Sequence, residues 1–369
     1  MRNVPTPPFD PEPPGPGGRR SPGMTPGLPR PLTSFIGRER ETEQVHALLA
    51  RDDVRLLTLI GPGGVGKTRL ALRVASTTTI FPDGVWFVGL ASLYEPGAVA
   101  PEIGRTLGVR PASGRPVVDA IVDALKTQRA LLVLDNFEQI LDAARLVADL
   151  LAACPELTML VTSRVPLRVT GEHRFMVPPL DLSGDGTDRA SGRRRDTDAV
   201  RLFVDRASAV TPGFVLTDDN VADVAAICAR LDGMPLAIEL AAARAGVLSI
   251  ADLRKRLDAR LPVLAEGPRD APERLRSMGD SIAWSYELLA PGEQALFREL
   301  GALVGTWTLD AAEAIAGAGD DASRHEVFEG LTALVEASLV RRQSDETGET
   351  VYRMLVPIRE FAEDLLDRS

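Results

Sequence analysis

Residues 61–68 read Gly-Pro-Gly-Gly-Val-Gly-Lys-Thr, and nothing else in the chain limits its fold so tightly. The run fits G-x-x-x-x-G-K-[ST]. An apolar stretch, VRLLTLI over 54–60, leads into it, and helical periodicity runs on from Lys67 to about Ala75. A strand, a glycine loop and a helix start in that order form the context in which this motif carries meaning. Glycines let consecutive backbone N–H groups turn inward around an anion, and the helix N-terminus adds its dipole. Gly61, Gly63, Gly64, Val65 and Gly66 are therefore expected to cradle phosphate, with Arg69 close by. Lys67 would reach the β- and γ-phosphates, and the Thr68 hydroxyl would bind Mg²⁺. The chain has only three lysines, Lys67, Lys126 and Lys255, and one falls at the required place.

Four further apolar runs follow: VWFVGL (85–90), ALLVLD (130–135), LTMLVTS (157–163) and RFMVPPL (174–180), with helical stretches near 97–108, 116–128 and 139–153. Continuously apolar strands separated by helices imply an α/β domain, a parallel sheet covered on both faces. Asp135 closes its strand, where an acid would hold Mg²⁺ through water; the plainer reading is a helix N-cap. Asn136 stands where many such ATPases place a second acid, and Glu138 is the nearest substitute. Arg164 follows the next strand. At the carboxyl edge of a sheet it faces either the ligand crevice or solvent.

Residues 1–31 are crowded with proline and glycine and nearly lack large apolar side chains, the composition of a disordered tail. The phosphate-loop domain is expected over 32–181, a flexible polar loop over 182–197, a helical domain over 198–271, and short helices with a β-hairpin over 272–369, a winged-helix pattern. Cys154 and Cys228 sit in apolar surroundings and read as buried thiols. No apolar run reaches the ~18 residues of a membrane span, and the N-terminus lacks a signal-peptide core. The expected site of action is the cytoplasm, with no membrane partner. Net charge is −10, and residues 272–369 alone hold nine arginines against nineteen acids, the same −10. A nucleic-acid footprint is normally basic, so no direct nucleic-acid contact is expected of this chain.

Several segments together resemble the NB-ARC branch of the STAND signal-transduction ATPases, in the form found in large bacterial LuxR-type and SARP-type regulators. The likeness spans roughly residues 32–367. Phe35-Ile36-Gly37-Arg38-Glu39 is similar to the family's entry motif, which implies that Phe35, Ile36, Gly37 and Arg38 lie over adenine. Thr162-Ser163-Arg164 resembles the sensor segment and implies that Arg164 meets the γ-phosphate. Gly233-Met234-Pro235-Leu236 resembles the GLPL motif, whose proline packs on the base. Trp284-Ser285-Tyr286 and the closing Met354-Leu355-Val356 resemble the family's winged helix, but Leu355 stands where animal and plant relatives carry a histidine. The resemblance implies an ATP/ADP-dependent switch using Mg²⁺, with slow hydrolysis and self-association in the ATP state. It also implies a sensor or effector that this chain does not contain. Two other readings stay open: a turnover ATPase, and a winged-helix DNA-binding regulator.

Overall fold

The five apolar runs become five parallel strands, and their order explains where the chemistry converges. A computed structural model describes residues 28–182, 196–259, 277–345 and 347–368. Most of the proline-rich tail (1–27), most of the polar loop (183–195) and the expected join between the last two domains (260–276) lie outside the described residues.

The strands are β1 (Leu56–Ile60), β2 (Gly84–Gly89), β3 (Ala130–Asp135), β4 (Leu157–Ser163) and β5 (Glu172–Met176). They are ordered β2-β3-β4-β1-β5. β4 therefore separates the strand that enters the glycine loop from the strand that ends in Asp135. The ladders pair Ile60 with Ser163 and Leu134 with Val161. The three strands thus end level, and residues 61, 136 and 164 leave one edge together. β5 begins and ends earlier than the apolar run 174–180. Pro178 and Pro179 lack the N–H a ladder requires, although Val177 N still donates to Ile60 O at 2.8 Å.

Alternate side chains cover both faces of the sheet. Leu57, Leu59, Leu131, Val133 and Leu160 join a core with α1 (Glu39–Leu49) and α2 (Lys67–Thr77). Leu56, Leu132, Leu134, Met159 and Val161 pack on the other face against α3 (Val99–Leu107), α4 (Val117–Leu125) and α5 (Ala144–Ala153). This two-sided burial is what a parallel sheet needs. Both cysteines are buried.

A helical region follows: α6 (Asp198–Val210), α7 (Val221–Arg230), α8 (Pro235–Ala242) and α9 (Ile250–Ala259). Thr197 caps α6 through Val200 N at 3.3 Å, and Pro235 opens α8, where its missing N–H costs nothing. The winged-helix part comprises α10 (Met278–Glu287), α11 (Pro291–Leu300), α12 (Leu309–Ile315) and α13 (Asp321–Glu336). The hairpin β6 (Arg341–Ser344) and β7 (Thr350–Arg353) and then α14 (Val356–Leu366) complete it. Trp307 bridges to Tyr352 beside the hairpin and stacks on its ring at 5.5 Å. Buried side chains of the helical and winged-helix parts, among them Ala237, Met278, Leu296 and Leu355, are continuous with the first core. No described helix is long and apolar enough to cross a membrane.

Candidate functional site

The glycine loop closes on itself. Gly66 adopts φ 97°, a left-handed conformation that a side chain would strain, and opens α2. Lys67 folds back to donate to Gly61 O at 2.7 Å and Pro62 O at 3.2 Å and is only 8% exposed. The Thr68 hydroxyl donates to Asp135 Oδ1 at 2.7 Å, and Thr162, next to it in the level ladder, donates to the same oxygen at 2.6 Å. Burial pushes the Asp135 carboxyl above the usual range, against the pull of those two hydroxyls. A desolvated carboxylate beside a threonine hydroxyl is the donor set that a hydrated Mg²⁺ satisfies.

The second half of the site is built from Arg164 and Glu138, 2% and 4% exposed. Arg164 Nε donates to Glu138 Oε1 at 3.1 Å. Its NH1 donates to Ser281 O at 2.6 Å and to Ser285 Oγ, both on α10. Gly63 explains how α10 comes so near: a β-carbon there would collide with Ser281 Oγ and stand 2.9 Å from the Arg164 guanidinium. Ser338 Oγ donates to Arg164 O at 3.1 Å from the winged-helix side as well. Ser281 Oγ and Glu138 Oε2 are buried with no hydrogen-bond partner among the described groups. Buried orphans of this kind are uncommon. A donor and an acceptor left unpaired around a glycine cradle fit a phosphate chain and its water.

On the other side, Phe35, Ile36, Arg38, Val65, Gly66, Arg69 and Pro235 line one cleft. Residues from the entry motif, the glycine loop and the α8 start thus meet. Leu236 N donates to Gly64 O at 3.2 Å and ties α8 to the loop. Arg38 NH2 donates to Val65 O at 2.8 Å, while Gly37 is covered by Asp198, whose Oδ2 accepts Arg38 N at 3.1 Å. Burial lowers the Arg38 guanidinium's pKa. Arg69 turns away from the loop and donates to Thr33 Oγ1, to Thr33 O at 2.9 Å and to Ser34 O.

Sequence reading missed several of these groups. Arg206 donates to Glu239 Oε1 at 2.9 Å and to Ser34 O at 3.1 Å, and Arg206 and Glu239 line the same cleft as Phe35 and Pro235. They lie on two helices with no local motif to mark them. Ser281, although near the quoted Trp284-Ser285-Tyr286, was invisible because its role depends on how α10 docks. Leu355 is buried at the N-cap of α14 and lines a different cleft, with Leu180, Asp232, Arg341 and Arg353.

A parallel sheet with this loop, followed by helices and a winged helix, defines a P-loop ATPase domain joined to a winged-helix module. Family models agree: one for an AAA domain matches residues 50–175, and one for a winged helix-turn-helix domain matches residues 289–367. The chain belongs to the same family as the uncharacterized protein Rv0894 of Mycobacterium tuberculosis. It is 36% identical to that protein over 342 residues, covering 92% of this chain and 83% of the relative. It is also 44% identical over 326 residues to "Putative HTH-type transcriptional regulator Rv0890c" of the same species, covering 88% of this chain. The chain spans only 35% of that protein's length. A STAND protein with a tetratricopeptide repeat sensor from Pyrococcus horikoshii aligns over 91% of this chain and 43% of its own, at 16% identity and a TM-score of 0.37.

The winged helix-turn-helix match and the regulator relative overturn one expectation, that this chain makes no direct nucleic-acid contact. The charge sum that suggested it does not measure a local field. Glu336 is paired with Arg168 and Glu360 with Arg230, both cations lying outside residues 272–369. Arg342 on β6 is exposed. A segment's net charge is thus not the charge of any one of its surfaces, since Arg353 is likewise paired outside the segment, with Asp232.

Proposed function

We propose that this chain is an ATP/ADP-dependent switch whose nucleotide state governs how its winged helix engages DNA. The observation that carries the reading is the double duty of Arg164. One guanidinium pairs with Glu138 beside the glycine loop and holds Ser281 O and Ser285 Oγ of α10. A γ-phosphate arriving at the loop competes for that guanidinium, because an ion pair with a charged phosphate oxygen is stronger than bonds from the same cation to a neutral carbonyl and a neutral hydroxyl. ADP offers no such competitor. The diphosphate state keeps α10 docked and the triphosphate state loosens it. In this reading Lys67 holds the phosphate chain, Thr68 and Asp135 hold Mg²⁺ through water, and Phe35–Arg38 with Pro235 enclose the base. Hydrolysis is slow and resets the switch.

A ligand shifts such an equilibrium only by its differential affinity for the two arrangements. The test is fluorescence anisotropy of labelled duplex DNA with protein held in Mg-ADP or in a non-hydrolysable Mg-ATP analogue. The expected result is tighter binding in the triphosphate state. Equal affinities in both states would refute the coupling.

A further inference from the structure

We propose that Glu138 is the group that takes the proton from the attacking water, displaced by two positions from the usual place beside Asp135. The proposal rests on the nucleotide-switch reading above. Spacing alone speaks against Glu138, because Asn136 occupies the adjacent position. The backbone restores the geometry. Asn136 adopts φ 67° and ψ 51°, a left-handed conformation that asparagine tolerates better than most residues. It is followed by a tight 3-10 turn over Phe137–Gln139. The chain reverses there instead of running on, so that Glu138 returns toward the edge it has just left.

Each other carboxylate or amide in the turn is committed elsewhere. Asp135 Oδ1 accepts from both Thr68 and Thr162. Asn136 gives its backbone N–H to Thr162 Oγ1 at 3.0 Å and its side-chain amide to Glu138 Oε1 at 3.3 Å. An amide is in any case no proton acceptor at neutral pH. Glu138 Oε1 takes that amide and Arg164 Nε, which fixes the carboxylate plane. Oε2 is left buried and without a partner among the described groups. A buried carboxylate oxygen calls for a donor. Phosphate oxygens cannot donate and would repel it, whereas a water molecule donates one hydrogen to Oε2 and presents its lone pair elsewhere. Arg164 reaches from this carboxylate to the neighbourhood of Gly63, so the water lies on the terminal-phosphate side of the loop.

The step balances with no further reactant. The water oxygen bonds to the terminal phosphorus, its proton passes to Glu138 Oε2, and the bond from that phosphorus to the bridging oxygen breaks. Nucleoside diphosphate and inorganic phosphate result, and the proton leaves Glu138 for the products. In this structure the guanidinium that orients Glu138 also holds α10; in the triphosphate state it keeps Glu138 and gives up α10.

The experiment compares wild type with Glu138→Gln, which keeps the shape and an acceptor for Arg164. Measured are ATP turnover, affinities for ADP and a non-hydrolysable ATP analogue, and the nucleotide released from each purified protein on denaturation. General-base loss should lower turnover roughly 10²–10⁴-fold. Both affinities should hold within about threefold, under the tenfold that 1.4 kcal/mol represents. The purified variant should carry a larger share of ATP relative to ADP. Turnover within about threefold of wild type would overturn the proposal. So would absence of turnover in wild type saturated with ATP, or a loss of ADP affinity as large as the loss of rate, which would make Glu138 a builder of the site. Failure of wild type to bind either nucleotide is a different result and would refute the switch reading itself.

Discussion

The base side and the phosphate side of the site are built from opposite materials. Around Phe35, Ile36, Leu180 and Pro235 the walls are apolar, and the polar groups mostly hold backbone: Arg69 and Arg206 clasp Thr33 and Ser34, and Arg38 holds Val65 O. Arg73 adds a cation over the Phe35 ring at 5.8 Å. Around the phosphate loop the groups are buried charges, Lys67, Asp135, Glu138 and Arg164. The first side joins the sheet domain to α6 and α8, and the second joins it to α10. A base looks the same with two phosphates or three. In the proposed reading only the second side counts phosphates, and there Arg164 holds Ser281 O and Ser285 Oγ of α10.

Lys67→Ala should have the largest effect and blur the comparison entirely. Removing a desolvated cation from the phosphate chain costs on the order of 2–4 kcal/mol or more, and calorimetry should detect neither ATP nor ADP. Retained ADP affinity would place the phosphates elsewhere. Arg164→Ala should separate the two sides. ATP affinity should fall by roughly 1.5–3 kcal/mol, the worth of a hydrogen bond to a charged group, with ADP nearly unchanged. Equal losses for both nucleotides would contradict a γ-phosphate role. Arg206→Ala should instead weaken ATP and ADP equally, by about 1 kcal/mol, since it loosens the Ser34 clasp and the Glu239 pair and leaves the phosphate-side groups untouched. A loss confined to ATP would show that the two sides are not independent.

The smallest effect concerns Asp135. Its carboxyl is raised by burial, so the folded, ligand-free protein binds more protons than the unfolded chain above the ordinary value of ~3.9. Stability should therefore fall as pH climbs from that value through the raised one. Asp135→Asn should abolish this fall and stabilise the ligand-free protein at neutral pH, while removing the Mg²⁺-dependent gain from nucleotide. Thermal unfolding from pH 4 to 8, with and without Mg-ADP, checks both parts; a destabilised ligand-free variant would contradict them.

The sheet was legible because its signals are local: continuous apolar strands, glycines at a turn, an acid at a strand end. Thr68 and Asp135 could be paired from spacing, and the ladder register then supplied the reason they meet. The cleft that gathers Phe35, Ile36 and Arg38 with Pro235 was readable only through family resemblance, since nothing local ties residue 35 to residue 235. Ser281 and Arg206 left no trace in the sequence, because their partners lie 117 and 172 residues away. Glu138 was visible as a residue but not as a position. Its placement depends on one left-handed asparagine, a backbone choice that composition does not reveal. Charge counting misled at the winged helix, because a segment's sum ignores its ion pairs to groups outside it, here Arg168, Arg230 and Asp232.

The central claim is that the γ-phosphate draws Arg164 away from α10, and amide hydrogen exchange over Met278–Glu287 tests it most directly. The protein would be compared when saturated with Mg-ADP and with a non-hydrolysable Mg-ATP analogue, using exchange at β3 as an internal reference. Local opening raises exchange in the segment that loses its packing. The account predicts slow exchange of α10 with ADP and faster exchange with the analogue, while β3 stays unchanged. Identical protection of α10 in the two states, or stronger protection with the triphosphate, would contradict it.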